Sequence, residues 1–275
     1  MPEEFDTEVA NGIWFLAGKA SERVNDSIKK LEDERKVRNS MKKFLITIDT
    51  EGDNLWQWKD GDPIGTDNTK YLPRFQKLCD KYGFKPTWLT NYEMMMDDNY
   101  VQFIKEVVNE GRGEIGMHLH AWSTPPEYSL KAEKDNAPYL IEYPEHIMEE
   151  KICSMTNIIK EKTGITPTSH RAGRWAMNEI YFRLLKKYGY LYDCSATPHI
   201  DWRGNGGQTK ESHGSDYSKV SEKPYRMQEI LEIPVTIRNV HRLFGKNASS
   251  IKGKLKSFYH FIKGQNLWLR PNGHN

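Results

Sequence analysis

Two carboxylates, two imidazoles and a guanidinium stand out in this chain for their spacing. Asp49 and Glu51 lie two apart at the end of the apolar run 44–48, within Thr47-Ile48-Asp49-Thr50-Glu51-Gly52-Asp53. Side chains two apart on a strand share a face, so both acids point the same way. Adjacent carboxylates repel, and one takes up a proton unless a cation sits between or beside them. The pair therefore asks for a metal ion or an arginine. His118 and His120 repeat the spacing at the end of Glu114-Ile115-Gly116-Met117. One carboxylate and two imidazoles from separate strands suit a borderline divalent ion such as zinc, with positions left open for water. Arg171 lies in His170-Arg171-Ala172-Gly173-Arg174-Trp175. Beside the acid pair, its guanidinium would keep a general-base carboxylate ionised near neutral pH and fix its orientation.

Taken singly, each of these residues has a plainer reading. A strand-end Asp is often a helix cap, a lone His is often packed, and an Arg can pair with any surface acid. Trp122, Trp175 and Trp202 each follow a polar cluster, as core or rim residues or as flat walls that suit sugar rings. The joint occurrence of four polar clusters at successive strand ends favours a site, because α/β enzymes keep their chemistry at that edge.

The elements that must position these groups alternate along the chain. The pattern predicts a strand at 44–49, a helix at 70–82 stopped by Gly83, and a strand at 87–90. A helix at 99–110 begins at Asp97 or Asp98 and closes at Gly111, and a third strand carries His118. After a loop rich in Pro and Tyr, Pro144 opens a helix that runs to Thr163 and stops at Gly164. A strand at 168–171, a helix at 178–188 and a strand at 190–195 follow. The polar insertion 204–223 leads to strands at 231–235 and 267–269. This alternation predicts an α/β fold with a parallel sheet of enough units to close or nearly close into a barrel. Residues 1–40 read as a charged helical extension, and Met41 as the start of the functional domain, 41–275.

The chain has 275 residues and a net charge of +2, and its 37% hydrophobic content, with eight Trp and fourteen Tyr, argues against disorder. No membrane-length apolar run and no basic-then-apolar start is visible, so the expected address is the cytoplasm. Cys79, Cys153 and Cys194 are odd in number and widely spaced, as reduced, buried thiols are. G-x-G-x-x-G after a strand, the P-loop and G-x-S-x-G are all absent, which removes the main support for dinucleotide, P-loop and serine-esterase readings. After Glu232 no acid occurs, while Arg238, Arg242, Lys246, Lys252, Lys254, Lys256, Lys263 and Arg270 follow. Such a stretch is either a solvated face or a dock for an anionic partner.

In order and content, these segments resemble the motifs of the polysaccharide deacetylase family, metal-dependent carbohydrate esterases acting on chitin, peptidoglycan and related N-acetylated glycans. Residues 47–53 resemble the first motif, 114–118 the metal-binding histidine motif, 171–175 the third and 193–202 the fourth. The resemblance implies a distorted (β/α) barrel of about seven parallel strands that need not be complete. It implies Asp49 as the base, steadied by Arg171, with Trp202 walling the pocket. Three departures accompany it. Thr50 replaces the usual second acid, which makes Glu51 the candidate ligand with Asp53 behind it. Trp122 stands where the second histidine is usual, which makes His120 the replacement. The C-terminal motif that supplies a histidine acid has no counterpart, so the barrel is incomplete or the chain a fragment.

The resulting expectation is a metal-dependent hydrolase, zinc being the first choice of ion, that removes an N-acetyl or less often an O-acetyl group from a glycan in surface-polysaccharide assembly. Asp49 and Arg171 are its catalytic residues, Glu51, His118 and His120 its metal ligands, and Trp122, Trp175, Asp201 and Trp202 its substrate-binding residues. His170, His199 and His274 are the histidines left to protonate the amine. The basic stretch is expected to meet an anionic lipid or diphosphate-linked glycan at the inner membrane face, with no specific nucleic-acid partner. The rivals are a catalytically silent carbohydrate-binding domain and a glycoside hydrolase, the latter opposed by the closeness of Asp49 to Glu51.

Overall fold

The computed structural model describes residues 43–55, 63–134, 136–239 and 266–268. The chain divides into Met1–Phe44 and Leu45–Asn275, and the extension expected over 1–40 lies outside the described residues. In the second unit, β1 (Thr47–Thr50) leads to α1 (Leu72–Lys81), β2 (Thr87–Thr90), the short α2 (Tyr92–Met96) and α3 (Asp98–Asn109). Next come β3 (Glu114–Leu119), α4 (Glu145–Thr163), β4 (Ser169–Ala172), α5 (Glu179–Lys187) and β5 (Tyr192–Asp193). Two short strands complete the sheet, β6 (Tyr225–Met227) and β7 (Ile230–Glu232), and β8 (Ile237–Asn239) and β9 (Asn266–Trp268) follow.

The boundaries follow local chemistry. Asp97 caps α3 by accepting from the backbone N–H groups of Asn99 and Tyr100, and Asn178 caps α5 by accepting from Tyr181. Gly164 ends α4 at φ 79°, a left-handed conformation that costs glycine little.

Seven strands form one sheet in the order β1-β2-β3-β4-β5-β7-β6. All neighbours are parallel except β6, which returns antiparallel on β7. The expected set of about seven parallel strands is thus six parallel and one antiparallel. The strand expected near 267–269 exists as β9, but it pairs antiparallel with β8 in a separate ribbon. It therefore adds no stave to a barrel. The strand expected at 190–195 shortens to two residues, because the chain beyond Asp193 turns to bond with side chains.

Register places one row of residues straight across the sheet: Thr50, Thr90, Met117, His170, Asp193 and Glu232. Successive strand residues face opposite sides, so Asp49, Gly116, His118 and Arg171 belong to the other face. The side bearing the row is the helical core. Trp88 is buried between Phe75 and Phe103, with ring centroids at 6.1 and 5.3 Å in edge-to-face contact. Its Nε1 donates to Gln76 at 3.1 Å, which satisfies the indole N–H inside the core. Ile147, Met148, Ile152, Met155 and Ile159 bury one stripe of α4. Cys79 and Cys194 are buried free thiols and Cys153 is half-buried. Among the described residues, no helix is long and apolar enough to cross a membrane.

Candidate metal centre and active site

The strand ends bring Glu51, His118 and His120 together. Glu51 Oε2 lies 2.8 Å from His120 Nε2 and 3.3 Å from His118 Nε2, and the two Nε2 atoms are 3.1 Å apart. A tetrahedral ion with bonds of about 2.0–2.1 Å needs ligand atoms roughly 3.3 Å from one another. The donor set therefore fits a divalent ion with little adjustment. His118 Nδ1 lies 3.0 Å from the backbone carbonyl of Arg171 and donates to it, which leaves the Nε2 lone pair aimed at the centre. The ring of His120 rests on Gly173, where an added Cβ would come within 2.7 Å of Nδ1 and 2.5 Å of the Leu119 carbonyl. Only glycine leaves room for that ring.

Arg171 is anchored on three sides. Its Nε donates to the Cys194 carbonyl at 2.8 Å and one terminal nitrogen donates to Thr47 Oγ1 at 2.7 Å. The other terminal nitrogen forms a short ion pair with Asp49 Oδ1. The Trp175 ring lies beneath, 5.1 Å from the guanidinium carbon. To reach that place the chain passes through left-handed backbone at Arg174 (φ 58°) and Trp175 (φ 63°), a strained pair of the kind concentrated at functional sites. Arg174 pins the turn by donating to the carbonyls of Ala137 and Gly206 and stacking on Tyr139.

The electrostatics follow from these contacts. Burial pushes the Asp49 carboxyl up, but the Arg171 guanidinium and His118 together hold the pKa below the usual value. Burial also opposes the charge on Glu51, and its close contacts with both imidazoles bring it well below the ordinary carboxylate range. At His118 burial disfavours the charge, yet Asp49 and Glu51 raise the pKa. At His120 burial prevails and the pKa falls. The side chains of Asp49 and Glu51 keep 29% and 23% of their exposure while the His118 and His120 rings keep 4% and 0%. Approach to the centre is thus over the carboxylates.

Of the nine residues singled out in the sequence, Asp49, Arg171 and Trp175 form one connected group, and Glu51, His118, His120 and Trp122 another. Trp122 packs against the His120 ring at 4.6 Å between centroids. It also lines a cleft of about 900 Å³ together with Tyr92, Glu93, Ser123, Tyr128 and Tyr143, a size usual for small-ligand sites. Asp201 and Trp202 sit on the loop after β5. There Asp201 is held by Arg203, and Trp202 donates from Nε1 to Thr197 at 2.8 Å. Asp53, placed behind Glu51, accepts from the backbone of Asn68. Thr47, Gly173 and Glu93 were not singled out. Thr47 could have been found from period two, since it shares a face with Asp49.

His170, one of the histidines left for the acid, lies elsewhere. Fully buried, its Nδ1 meets Asp193 Oδ1 at 2.6 Å and its Nε2 meets the Tyr181 hydroxyl at 2.8 Å. It precedes Arg171 by one residue and so faces the helices. Ser195 Oγ donates to Asp193 at 2.8 Å and the Ala196 N–H donates to Glu232 at 2.9 Å, extending this sealed network. His199 Nε2 pairs with Glu222 at 2.8 Å. His274 and most of the basic stretch from Arg238 onward lie outside the described residues.

No family model matches the chain. Over 124 residues it is 27% identical to a peptidoglycan deacetylase of Helicobacter pylori, a match covering 45% of this chain and 36% of that protein. The chain thus spans little more than a third of the curated relative it matches. Among solved structures it is similar to a candidate polysaccharide deacetylase from Mycobacterium smegmatis, at 18% identity and TM-score 0.47, covering 70% of this chain and 58% of that one. It is also similar to a family 4 acetyl xylan esterase from Clostridium thermocellum solved with a cobalt ion, at 20% identity and TM-score 0.36, covering 57% and 60%. Likeness at that level carries no argument about site or substrate. The curated relative is a deacetylase of the kind the motifs resemble.

Proposed function

We propose that the chain is a metal-dependent deacetylase of an acetylated glycan. The observation that carries the reading is the convergence of Glu51 Oε2, His118 Nε2 and His120 Nε2 beside a carboxylate that Arg171 keeps ionised. Glu51, His118 and His120 would hold a divalent ion, zinc by the chemistry of the set, which supplies Lewis acidity toward a water and the acetyl carbonyl. Asp49 accepts the proton of the attacking water, and its pairing with Arg171 keeps it ready to do so at neutral pH. Arg171 fixes the angle of that carboxylate through Thr47 and the Cys194 carbonyl. Trp122 and the aromatic cleft beside it offer flat apolar faces to a sugar ring.

The reading is supported by the peptidoglycan deacetylase relative and by the motif resemblance. A role in surface-glycan assembly and a cytoplasmic or membrane-peripheral place belong to the same proposal. Its test is elemental analysis of the purified chain, followed by acetate release from an N-acetylated oligosaccharide before and after chelation. One divalent ion per chain and release that stops on chelation are expected. Metal without release would leave a carbohydrate-binding module instead.

A further inference from the structure

A leaving amine must be protonated, and His170 and His199 are committed to Asp193 and Glu222. Resting on the deacetylase reading, we propose that Glu93 is the acid that donates this proton. Beyond β2, the Asn91 N–H donates to the Thr50 carbonyl at 3.1 Å, so the β1–β2 pairing runs one residue further before the chain turns into α2. Asn91 Oδ1 then caps α2 by accepting from Met94. Glu93 is thereby carried to the edge from which Glu51 and His118 project. It lines the same cleft as Ala121, Trp122 and Ser123, the three residues that follow His120.

Within that cleft its chemistry is distinctive. Glu93 Oε2 is buried with no hydrogen-bond partner among the described residues. Burial raises its pKa and the charge of Glu51 adds to the effect, only partly opposed by the Ser123 hydroxyl. A carboxyl group whose neutral form is favoured by burial, with one oxygen lacking a hydrogen-bond partner among the described residues, is suited to general-acid work. Lys151, another buried titratable group there, is spent. Its Nζ donates to the carbonyls of Thr124 at 2.5 Å and Pro126 at 2.6 Å and lies over the Tyr143 ring.

The step balances without another reactant. Water adds to the acetyl carbonyl as Asp49 takes its proton. The C–N bond then breaks, its electron pair passes to nitrogen, and nitrogen takes the Glu93 proton. Sugar amine and acetic acid leave, the acid's proton passing to the amine in solution, and the proton held by Asp49 returns through solvent to Glu93.

The test compares Glu93→Gln with the native chain on two substrates. An N-acetylated chitooligosaccharide has an amine leaving group that needs a proton, whereas 4-nitrophenyl acetate has a phenolate that departs without one. The ratio of amide to ester turnover is expected to fall about 100-fold in Glu93→Gln, with metal content and melting temperature retained, and to recover in part in Glu93→Asp. An equal fall on both substrates, or an unaltered ratio, overturns the role of Glu93 alone. A metal-loaded native chain that releases acetate from neither substrate overturns the deacetylase reading, and this proposal with it.

Discussion

Glu51 and Glu232 end two strands of one sheet, and the fold shifts their proton affinities in opposite directions. Burial works against the charge of Glu51, yet its contacts with the two imidazoles pull it well below the ordinary range. Glu232 is pushed well above that range, first by burial and then by the negative charge of Asp193 beside it. The partners decide the outcome, and so does the side of the sheet. On one face carboxylates remain partly open to solvent and share a cluster with imidazoles, an arrangement that can receive an ion and exchange protons with a ligand. On the other face, His170, Asp193, Ser195 and Glu232 are at most 1% exposed. Sealed there, the same residue types join β4, β5 and β7 and cannot meet a substrate.

The contrast makes substitutions on the two faces fail differently. The largest effect is expected for His118→Ala, which removes one of three ligands. Stoichiometric metal and all acetate release should vanish while the chain stays folded, checked by elemental analysis and circular dichroism. Asp49→Asn comes next, with metal retained and acetate release down about 10²–10⁴-fold; loss of metal in this variant would make Asp49 a ligand. Asp193→Ala should show the converse, a loss of about 3–5 kcal/mol in urea unfolding because it strands a buried partner. Metal bound per folded molecule should not change. If it did, the two faces would not be independent.

The smallest effect concerns the charge of Glu232. Its folded pKa lies above the unfolded value of 4.5, so its stabilising contribution is fully present below pH 4.5 and is lost as pH rises toward the folded value. Glu232→Gln mimics the neutral acid. The variant and the native chain should be nearly equal in stability near pH 4.5, and the variant should gain at most about 1.4 kcal/mol per pH unit above it. Denaturation midpoints across pH 4.5–7 check the sign, and a gap that shrinks with rising pH would break the comparison.

Much of this was legible in the sequence because period two is strict. The spacing of Asp49 with Glu51, and of His118 with His120, placed each pair on one face. Asp97, Gly111 and Gly164 marked helix ends through local capping, which needs no tertiary partner. The same periodicity, applied to His170 and Arg171, separates them onto opposite faces and removes His170 from the candidate acids. Asp193 resembled part of a functional motif, yet it lies in the sealed row, because its register with His170 and Glu232 depends on long-range pairing. The antiparallel return of β6 and the β8–β9 ribbon were hidden for that reason too. Three-residue strands carry little periodic signal. Glu93 belongs to no motif, and only the path of the chain after β2 brings it to the cleft.

Arg171 contributes to the centre twice, by different kinds of atom. Its carbonyl oxygen orients His118, and its guanidinium orients Asp49. A main-chain oxygen survives any exchange of side chain, so the ligand and the base can be tuned separately although one residue serves both. An Arg171→Lys chain would keep the imidazole in its tautomer while trading a forked, planar grip on the base for a single mobile charge. The position is therefore a dial for the proton affinity of the base that keeps the main-chain hold on the ligand.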